Sequence, residues 1–370
     1  MIIDRLKQDI ENVISGKDND SALSKILDGI SRVYGPAMEL RSKLYQNGWL
    51  KTHRLPCPVI SIGNITLGGT GKTPMTIYLA NLLQSMGYNP AIICRGYGGK
   101  CEHAGGVVTD GVSVFLGPED AGDEPYLMAS GLSGIPVVVG KDRCASGMKV
   151  WRSFCPDVII CDDAFQHLRL YRDLNLVLLD DDNPVGNGKI FPRGPLRESL
   201  HQLERADAFV TTRTETDKFE QNVFRKKIKI TDKPVFRCCH VADAVSFLDT
   251  GGLWEKCDPD EIRDKACTAF SGIARNEDFL RTLTGFGCRV KNFIFFPDHH
   301  DFSEKDLETV LRTAQKGRVE FIVTTEKDRV RLPKKMSLPI KIYSLGIRIS
   351  FMGEDKIRFQ NFIRQNVELR

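Results

Sequence analysis

The run Gly63-Asn64-Ile65-Thr66-Leu67-Gly68-Gly69-Thr70-Gly71-Lys72-Thr73-Pro74 joins a short apolar stretch, Pro58–Ile62, to a helical pattern. The apolar positions of that pattern are Met75, Ile77, Leu79, Leu82, Leu83 and Met86. Strand, glycine-rich turn, Lys-Thr and helix form the layout of a nucleotide phosphate cradle. Glycines let backbone N–H groups close around a polyphosphate, and the helix N-terminus adds positive dipole charge. Lys72 is placed to reach the outer phosphates and Thr73 to offer its hydroxyl to Mg²⁺. Gly68, Gly69, Thr70, Gly71, Lys72 and Thr73 are therefore the expected cradle. The strict pattern has glycine where Thr66 stands; here Gly68 and Gly69 lie inside the loop instead. A glycine turn that merely starts a helix is the bland alternative, and the placement of Gly-Lys-Thr between strand and helix argues against it.

A second constellation is Val158-Ile159-Ile160-Cys161-Asp162-Asp163-Ala164-Phe165-Gln166-His167. An apolar strand ending in paired carboxylates suits Mg²⁺, which takes hard oxygen ligands. Adjacent residues of an extended strand point to opposite sides, so only one of Asp162 and Asp163 enters the metal shell unless the strand turns there. Alone, the pair reads equally well as a solvated loop. Gly122-Asp123-Glu124-Pro125 reads locally as a helix start, with Asp as cap and Pro in the first turn. Asp298-His299-His300-Asp301 follows an apolar run and is open to three readings: a metal site, an acid–base site or a turn. Basic residues gather at turns, as in Arg95-Gly96-Tyr97-Gly98-Gly99-Lys100, Lys141-Asp142-Arg143, and Arg193 with Arg197. They suit anionic ligands or a solvated surface. Thr324-Thr325-Glu326-Lys327-Asp328 reads as a helix cap with an acid nearby.

The elements that must position these groups follow from the hydrophobic pattern. With 370 residues, 41% of them hydrophobic and 27% charged, the chain has room for two domains. A net charge of +4 does not by itself argue for nucleic acid. The 11 cysteines include no CxxC pair and no zinc-type spacing, which points to reduced thiols in a cytosolic compartment. There is no signal pattern at the N-terminus and no apolar run near the roughly 20 residues that span a bilayer. These features predict a protein that is cytosolic or lies on a membrane face.

Residues 1–20 predict a short polar helix. From Ser21 onward Leu23, Ile26, Leu27, Ile30, Val33, Tyr34, Ala37, Met38, Leu40 and Leu44 recur at helical spacing, edged by Arg32, Arg41, Lys43, Lys51, His53 and Arg54. Such a stripe packs on its own domain or a partner, the commoner case, or lies in a bilayer interface. Residues 55–182 alternate strand and helix, with apolar runs at Val59–Ile62, Ala91–Cys94, Val107–Val108, Val112–Leu116, Ile135–Val139, Val158–Cys161 and Leu176–Leu179. That alternation predicts a parallel α/β sheet with ligands beyond the strand ends. Residues 183–205 read as a connection or functional loop. A second α/β pattern follows, with runs at Ala208–Val210, Val235–Phe236, Ala266–Phe270, Val290–Phe296, Phe321–Val323 and Ile340–Leu345. The tail 353–370 is charged and helical in pattern. The expected division is 1–54 (helical, membrane-associating), 55–182 (P-loop kinase domain), 183–352 (second, smaller α/β domain) and 353–370 (helical tail).

Taken together these motifs resemble the tetraacyldisaccharide 4′-kinase family of lipid A biosynthesis. The resemblance rests on Arg41…Leu44-Tyr45…Gly48, the Gly63–Pro74 run, Arg95-Gly96-Tyr97-Gly98, Gly122–Pro125, Asp162–His167, Pro192-Arg193-Gly194-Pro195-Leu196-Arg197-Glu198, Asp298-His299-His300 and Thr324–Asp328. It implies a P-loop NTPase-like α/β fold whose two domains close over nucleotide. It implies transfer of the ATP γ-phosphoryl group to the 4′-hydroxyl of a tetraacylated glucosamine disaccharide 1-phosphate, with Mg²⁺. It further implies work at the cytoplasmic face of the inner membrane of a Gram-negative bacterium, which turns the balance toward the membrane reading of the N-terminal helix. No nucleic acid and no obligatory protein partner is expected.

The resemblance also implies roles. Lys72 and the loop amides position the phosphates, and Thr73 with Asp162 or Asp163 holds Mg²⁺. Asp123 and His299 orient and deprotonate the sugar hydroxyl. Arg95, His167, Arg193, Arg197 and Asp298 are further candidates. Two rival readings stand beside it. One is a switch-type P-loop ATPase that works with a protein partner; the other is a membrane-bound scaffold with a degenerate nucleotide site, against which the intact Lys72-Thr73 and Asp162-Asp163 argue.

Overall fold

Most of these apolar runs are strands in the computed structural model, which describes residues 2–214, 226, 228, 232–249, 253–333 and 339–368. In chain order the elements are α1 (Ile2–Ile14), α2 (Ala22–Gln46), β1 (Val59–Asn64), α3 (Lys72–Ser85), β2 (Pro90–Cys94), β3 (Gly106–Thr109), α4 (Pro118–Ala121), α5 (Asp123–Gly131), β4 (Val137–Val139) and α6 (Arg143–Phe154). Then come β5 (Val158–Asp162), β6 (Leu174–Asp180), β7 (Ala208–Thr212), β8 (Val235–Leu248), β9 (Trp254–Cys257), β10 (Ala266–Ser271), α7 (Asn276–Gly285) and β11 (Arg289–Phe295). The last are α8 (Glu304–Gly317), β12 (Phe321–Thr325), α9 (Glu326–Arg329), β13 (Ile342–Phe351) and α10 (Asp355–Glu368).

The chain forms two compact units. The first comprises Met1–Arg95, Gly140–Cys239 and Phe351–Arg370; the second comprises Gly96–Val139 and His240–Ser350. These boundaries differ from the division expected at residue 182. Residues 183–239 stay with the first unit because β7 continues the ladder of β6, with Leu176 opposite Ala208 and Asp180 opposite Thr212. Residues 96–139 leave it to join 240–350, a long-range association that no local pattern announces.

In the first unit β2, β5, β1, β6, β7 and the start of β8 are parallel neighbours in that order. The central strand β1 is buried at every position, as expected where both faces of a parallel sheet are covered. Its C-terminal end opens into the glycine-rich loop. α2 is tied to the body by scattered polar anchors. Ser31 Oγ donates to the Ile190 carbonyl (2.8 Å), Arg41 to the Gln166 carbonyl (3.2 Å) and Ser42 Oγ to Gln202 (2.7 Å). The tail helix α10 buries Phe359 among the rings of Phe351, Phe236 and Tyr78, with centroids 4.5, 5.2 and 6.2 Å away.

In the second unit β11, β10, β12 and β13 are parallel, β9 pairs antiparallel with the end of β8, and β3 pairs antiparallel with β4. Its core gathers Phe270, Phe302, Val310 and Ile322 around one cluster and Phe279, Leu283, Val323 and Tyr343 around another. One expectation fails here, and one strand had no counterpart among the expected runs. Val112–Leu116 is no strand: Asp110 accepts from the N–H groups of Val112 and Ser113, closing a turn that leaves Val112 91% exposed. β9 went unread because Glu255 and Lys256 interrupt its apolar pattern.

Phe359→Ala should destabilise the first unit by about 3–5 kcal/mol, the usual loss for a large buried aromatic. Urea unfolding measures it; a loss below about 1 kcal/mol would show that α10 does not share this core.

Candidate functional site

The first unit carries the glycine-rich loop. Gly63 is required by close approach, since a Cβ there would lie 2.5 Å from Phe165 Cβ. This lets the segment after β5 lie against the end of β1. Gly71 sits at φ 83°, the left-handed region that favours glycine, and opens α3 with no side-chain cap. The first turn of α3 thus offers its amides and dipole to an anion. Beside it the Thr70 hydroxyl and the whole Asn64 carboxamide are buried without a hydrogen-bond partner among the described residues. Buried polar groups are normally paired, so these atoms fit a loop shaped for a polar ligand. Arg213, which the sequence reading missed, donates to the Gly69 carbonyl (2.8 Å) and to Asp180 (2.9 Å). Nothing in its neighbourhood of the sequence marks it.

The acid pair divides its work. Asp162 ends β5 and accepts from Thr76 Oγ1 of α3 at 2.9 Å. Asp163 takes φ 47°, so the strand does turn there. Its carboxylate lies 3.7 Å from Lys72 Nζ and accepts from Arg197 at 2.9 and 3.0 Å. Burial pushes this carboxyl up, but the charges of Lys72 and Arg197 outweigh it and hold it below the usual range. Gln166 donates to the Asn64 carbonyl and to Glu198, both at 2.9 Å, and Glu198 accepts from Arg205 at 2.6 Å. The segments around 163 and 197 are therefore one polar network.

Arg193, a sequence candidate, is buried and serves the scaffold: it donates to the Val13 carbonyl (3.3 Å) and to Asn19 (2.9 Å). His167 is enclosed, its Nε2 unpartnered among the described residues. Arg95 is exposed.

The second unit gathers the other candidates. Asp123 is not the cap of α5 but its first helical residue, following Gly122 at φ 87°. Its carboxylate is thereby free to leave the helix, and it meets His299 Nδ1 at 3.3 Å and Arg331 Nη2 at 2.6 Å. Arg331, only 4% exposed, also reaches His299 Nδ1 at 2.9 Å. On the other side of the imidazole, Nε2 faces Lys327 Nζ at 3.3 Å and Asp298 at 3.9 Å. A neutral imidazole has one donor and one acceptor nitrogen, so its tautomer decides whether Nδ1 donates to Asp123 or accepts from Arg331. Burial pushes the Asp123 carboxyl up; the His299 hydrogen bond and the Arg331 charge overcome this and hold it below the usual range.

The backbone of His299 is strained into φ 60° and is held there by its N–H to the Gly272 carbonyl (3.1 Å). Gly272 N–H in turn donates to the buried Asp328 (3.1 Å), which also accepts from the Thr325 hydroxyl (2.7 Å). The Thr325 cap read from sequence is thus present, and it locks the turn that carries the histidine. His300 stacks on Phe296 at 4.7 Å and pairs with Asp306 at 3.1 Å, a packing role. Arg331 and the placement of Lys327 escaped the sequence reading, although both lie within or just beyond the Thr324–Asp328 run.

The comparisons with known proteins agree along almost the whole length. A family model described as tetraacyldisaccharide-1-P 4′-kinase matches residues 23–368. The tetraacyldisaccharide 4′-kinase of Desulfatibacillum aliphaticivorans is 41% identical over 98% of this chain and 99% of its own. That of Syntrophus aciditrophicus is 41% identical over 89% of this chain and 90% of its own. The crystal structure of LpxK from Aquifex aeolicus in complex with ATP aligns with a TM-score of 0.74 at 32% identity, covering 93% of this chain and 99% of that one.

One titration follows from the enclosed histidine. Burial, reinforced by the Arg143 and Arg172 charges, pushes His167 down to about 4, against an ordinary value of about 6.5 in the unfolded chain. Its contribution to stability is therefore complete above about pH 6.5 and is lost as pH falls toward about 4. Urea midpoints should fall more steeply across that window in the wild type than in His167→Gln; equal slopes would contradict the buried neutral state.

Proposed function

The chain belongs to the tetraacyldisaccharide-1-P 4′-kinase family, and from that premise we propose that it transfers the γ-phosphoryl group of ATP to the 4′-hydroxyl of a tetraacyldisaccharide 1-phosphate. The observation that carries this reading is the family match through residues 23–368, which includes every segment of both clusters described above. The relatives described above are tetraacyldisaccharide 4′-kinases, which favours this reading over the switch-type ATPase.

Phosphoryl transfer asks a protein mostly for positioning and charge stabilisation. In the first unit, Lys72 and the amides of Gly68–Thr73 hold and neutralise the polyphosphate. Arg213 braces the loop through Gly69. Thr73 and one of Asp162 and Asp163 would hold Mg²⁺, which would supply charge neutralisation to the phosphates. Lys72 is held near Asp163 beforehand, so it has a defined position when phosphate arrives. In the second unit, Asp123 and His299 form the acid–base pair for the sugar hydroxyl. Arg331 keeps Asp123 ionised and fixes its direction; Lys327 and Asp298 flank the imidazole.

The N-terminal helix serves the lipid. α2 leaves Ile26, Ile30, Val33 and Leu40 on one exposed face, and Trp49 lies just beyond it; Val33 is 73% and Trp49 80% exposed. Lys25, Arg32, Lys43 and Lys51 are also exposed along this segment. An apolar stripe with basic edges suits the interface of an anionic bilayer. No helix among the described residues is long and apolar enough to cross a membrane. The reading is of an enzyme lying on the cytoplasmic face of the inner membrane.

Asp123→Asn should lower kcat by about 100-fold or more, the usual share of a general base, while changing nucleotide affinity less than about twofold. Steady-state kinetics beside nucleotide binding measure both; an equal loss in each would remove Asp123 from the chemistry.

A further inference from the structure

The first unit holds a cavity of about 430 Å³ that the phosphoryl-transfer machinery does not use. It is lined by Asn19, Ser24, Lys25, Asp28, Gly29, Arg32, Lys189 and Arg193. Four cations face one carboxylate. Arg32 is engaged with Asp28 (2.9 Å), and Arg193 with Val13 and Asn19. Lys25 and Lys189 have no ion-pair partner among the described residues. Both are exposed and line the cavity, one from α2 and one from the loop that follows β6.

One of the lining residues is a glycine. Gly29 lies within α2, where glycine is less favourable than alanine, yet a Cβ there would meet nothing within 4 Å. No packing contact demands it; its effect is to leave the space open. Lys25, Asp28, Gly29 and Arg32 follow helical spacing on one face of α2. Ile26, Ile30, Val33 and Leu40 form the adjacent exposed stripe. A bilayer lying against that stripe brings its headgroup layer beside the cavity mouth, where lysines reach phosphate.

We propose that this cavity binds the headgroup phosphate of an anionic bilayer phospholipid through Lys25 and Lys189, fixing how the N-terminal helix lies on the membrane. This rests on reading α2 as the bilayer-facing helix.

The test is co-sedimentation of the full chain with neutral phosphatidylcholine vesicles and with mixed phosphatidylcholine–phosphatidylglycerol vesicles. The wild type should bind the mixed vesicles about tenfold more tightly, in line with a few lysines near an anionic surface. Gly29→Leu keeps every charge but puts a bulky side chain into the cavity, and should cut that preference to about twofold or less; Lys25→Gln with Lys189→Gln should do the same. Helix content and thermal unfolding confirm that Gly29→Leu is folded. If Gly29→Leu keeps the full preference, the attraction is diffuse surface charge and the cavity is not a site. If the wild type binds neutral and mixed vesicles equally, the proposal also fails while the apolar stripe stands. Failure to bind either vesicle overturns the bilayer reading of α2 and this proposal with it. A rise in KM for the lipid substrate in neutral detergent micelles on Gly29→Leu would assign the cavity to the substrate's phosphate and overturn the bilayer assignment.

Discussion

A carboxylate that is only 33% exposed must be matched by positive charge, and Asp163 is matched twice, by Lys72 and by Arg197. That requirement draws three distant stretches to one end of β1: the glycine-rich loop, the end of β5 and the Pro192–Glu198 segment. Gly63 makes the approach possible by giving Phe165 room, and Gln166 and Glu198 complete the network with further hydrogen bonds. Lys72 is therefore already oriented by a protein carboxylate. Removing one partner would leave a charge uncompensated and loosen the whole end of the sheet.

The same physics recurs in the second unit with the signs arranged differently. There Asp123 and Asp298 lie on either side of His299, and Arg331 and Lys327 face its two ring nitrogens. Such crowding of charge is stable only because each group is held from behind. The chain from Thr325 through Asp328 and Gly272 to His299 does this, with Asp328 fully buried and its carboxyl pushed up by burial. The strain at His299 is tolerated because that scaffold determines the turn.

Much of this was legible in the residues, for reasons that differ from case to case. The glycine-rich turn is contiguous, so its place between strand β1 and helix α3 could be read from spacing alone. The parallel sheet followed from continuous apolar runs such as Val158–Cys161. Asp123 and His299 stand 176 positions apart, and only the resemblance paired them, because no local pattern encodes a long-range contact. Arg331 and Arg213 went unread for the same reason. Arg193 sits in a Gly- and Pro-rich run whose pattern does not show that the Val13 carbonyl and the Asn19 side chain hold its guanidinium inside. The unit boundary was missed because residues 96–139 fold with a part of the chain that begins a hundred residues later.

The central claim is that one chain carries both halves of a lipid phosphotransfer. Its most direct test is transfer of labelled γ-phosphate from Mg-ATP to tetraacyldisaccharide 1-phosphate in detergent micelles, with Lys72→Ala alongside. The account predicts a labelled bisphosphorylated lipid from the wild type and none from the variant. Steady Lys72-dependent ATP hydrolysis without labelled lipid would contradict it.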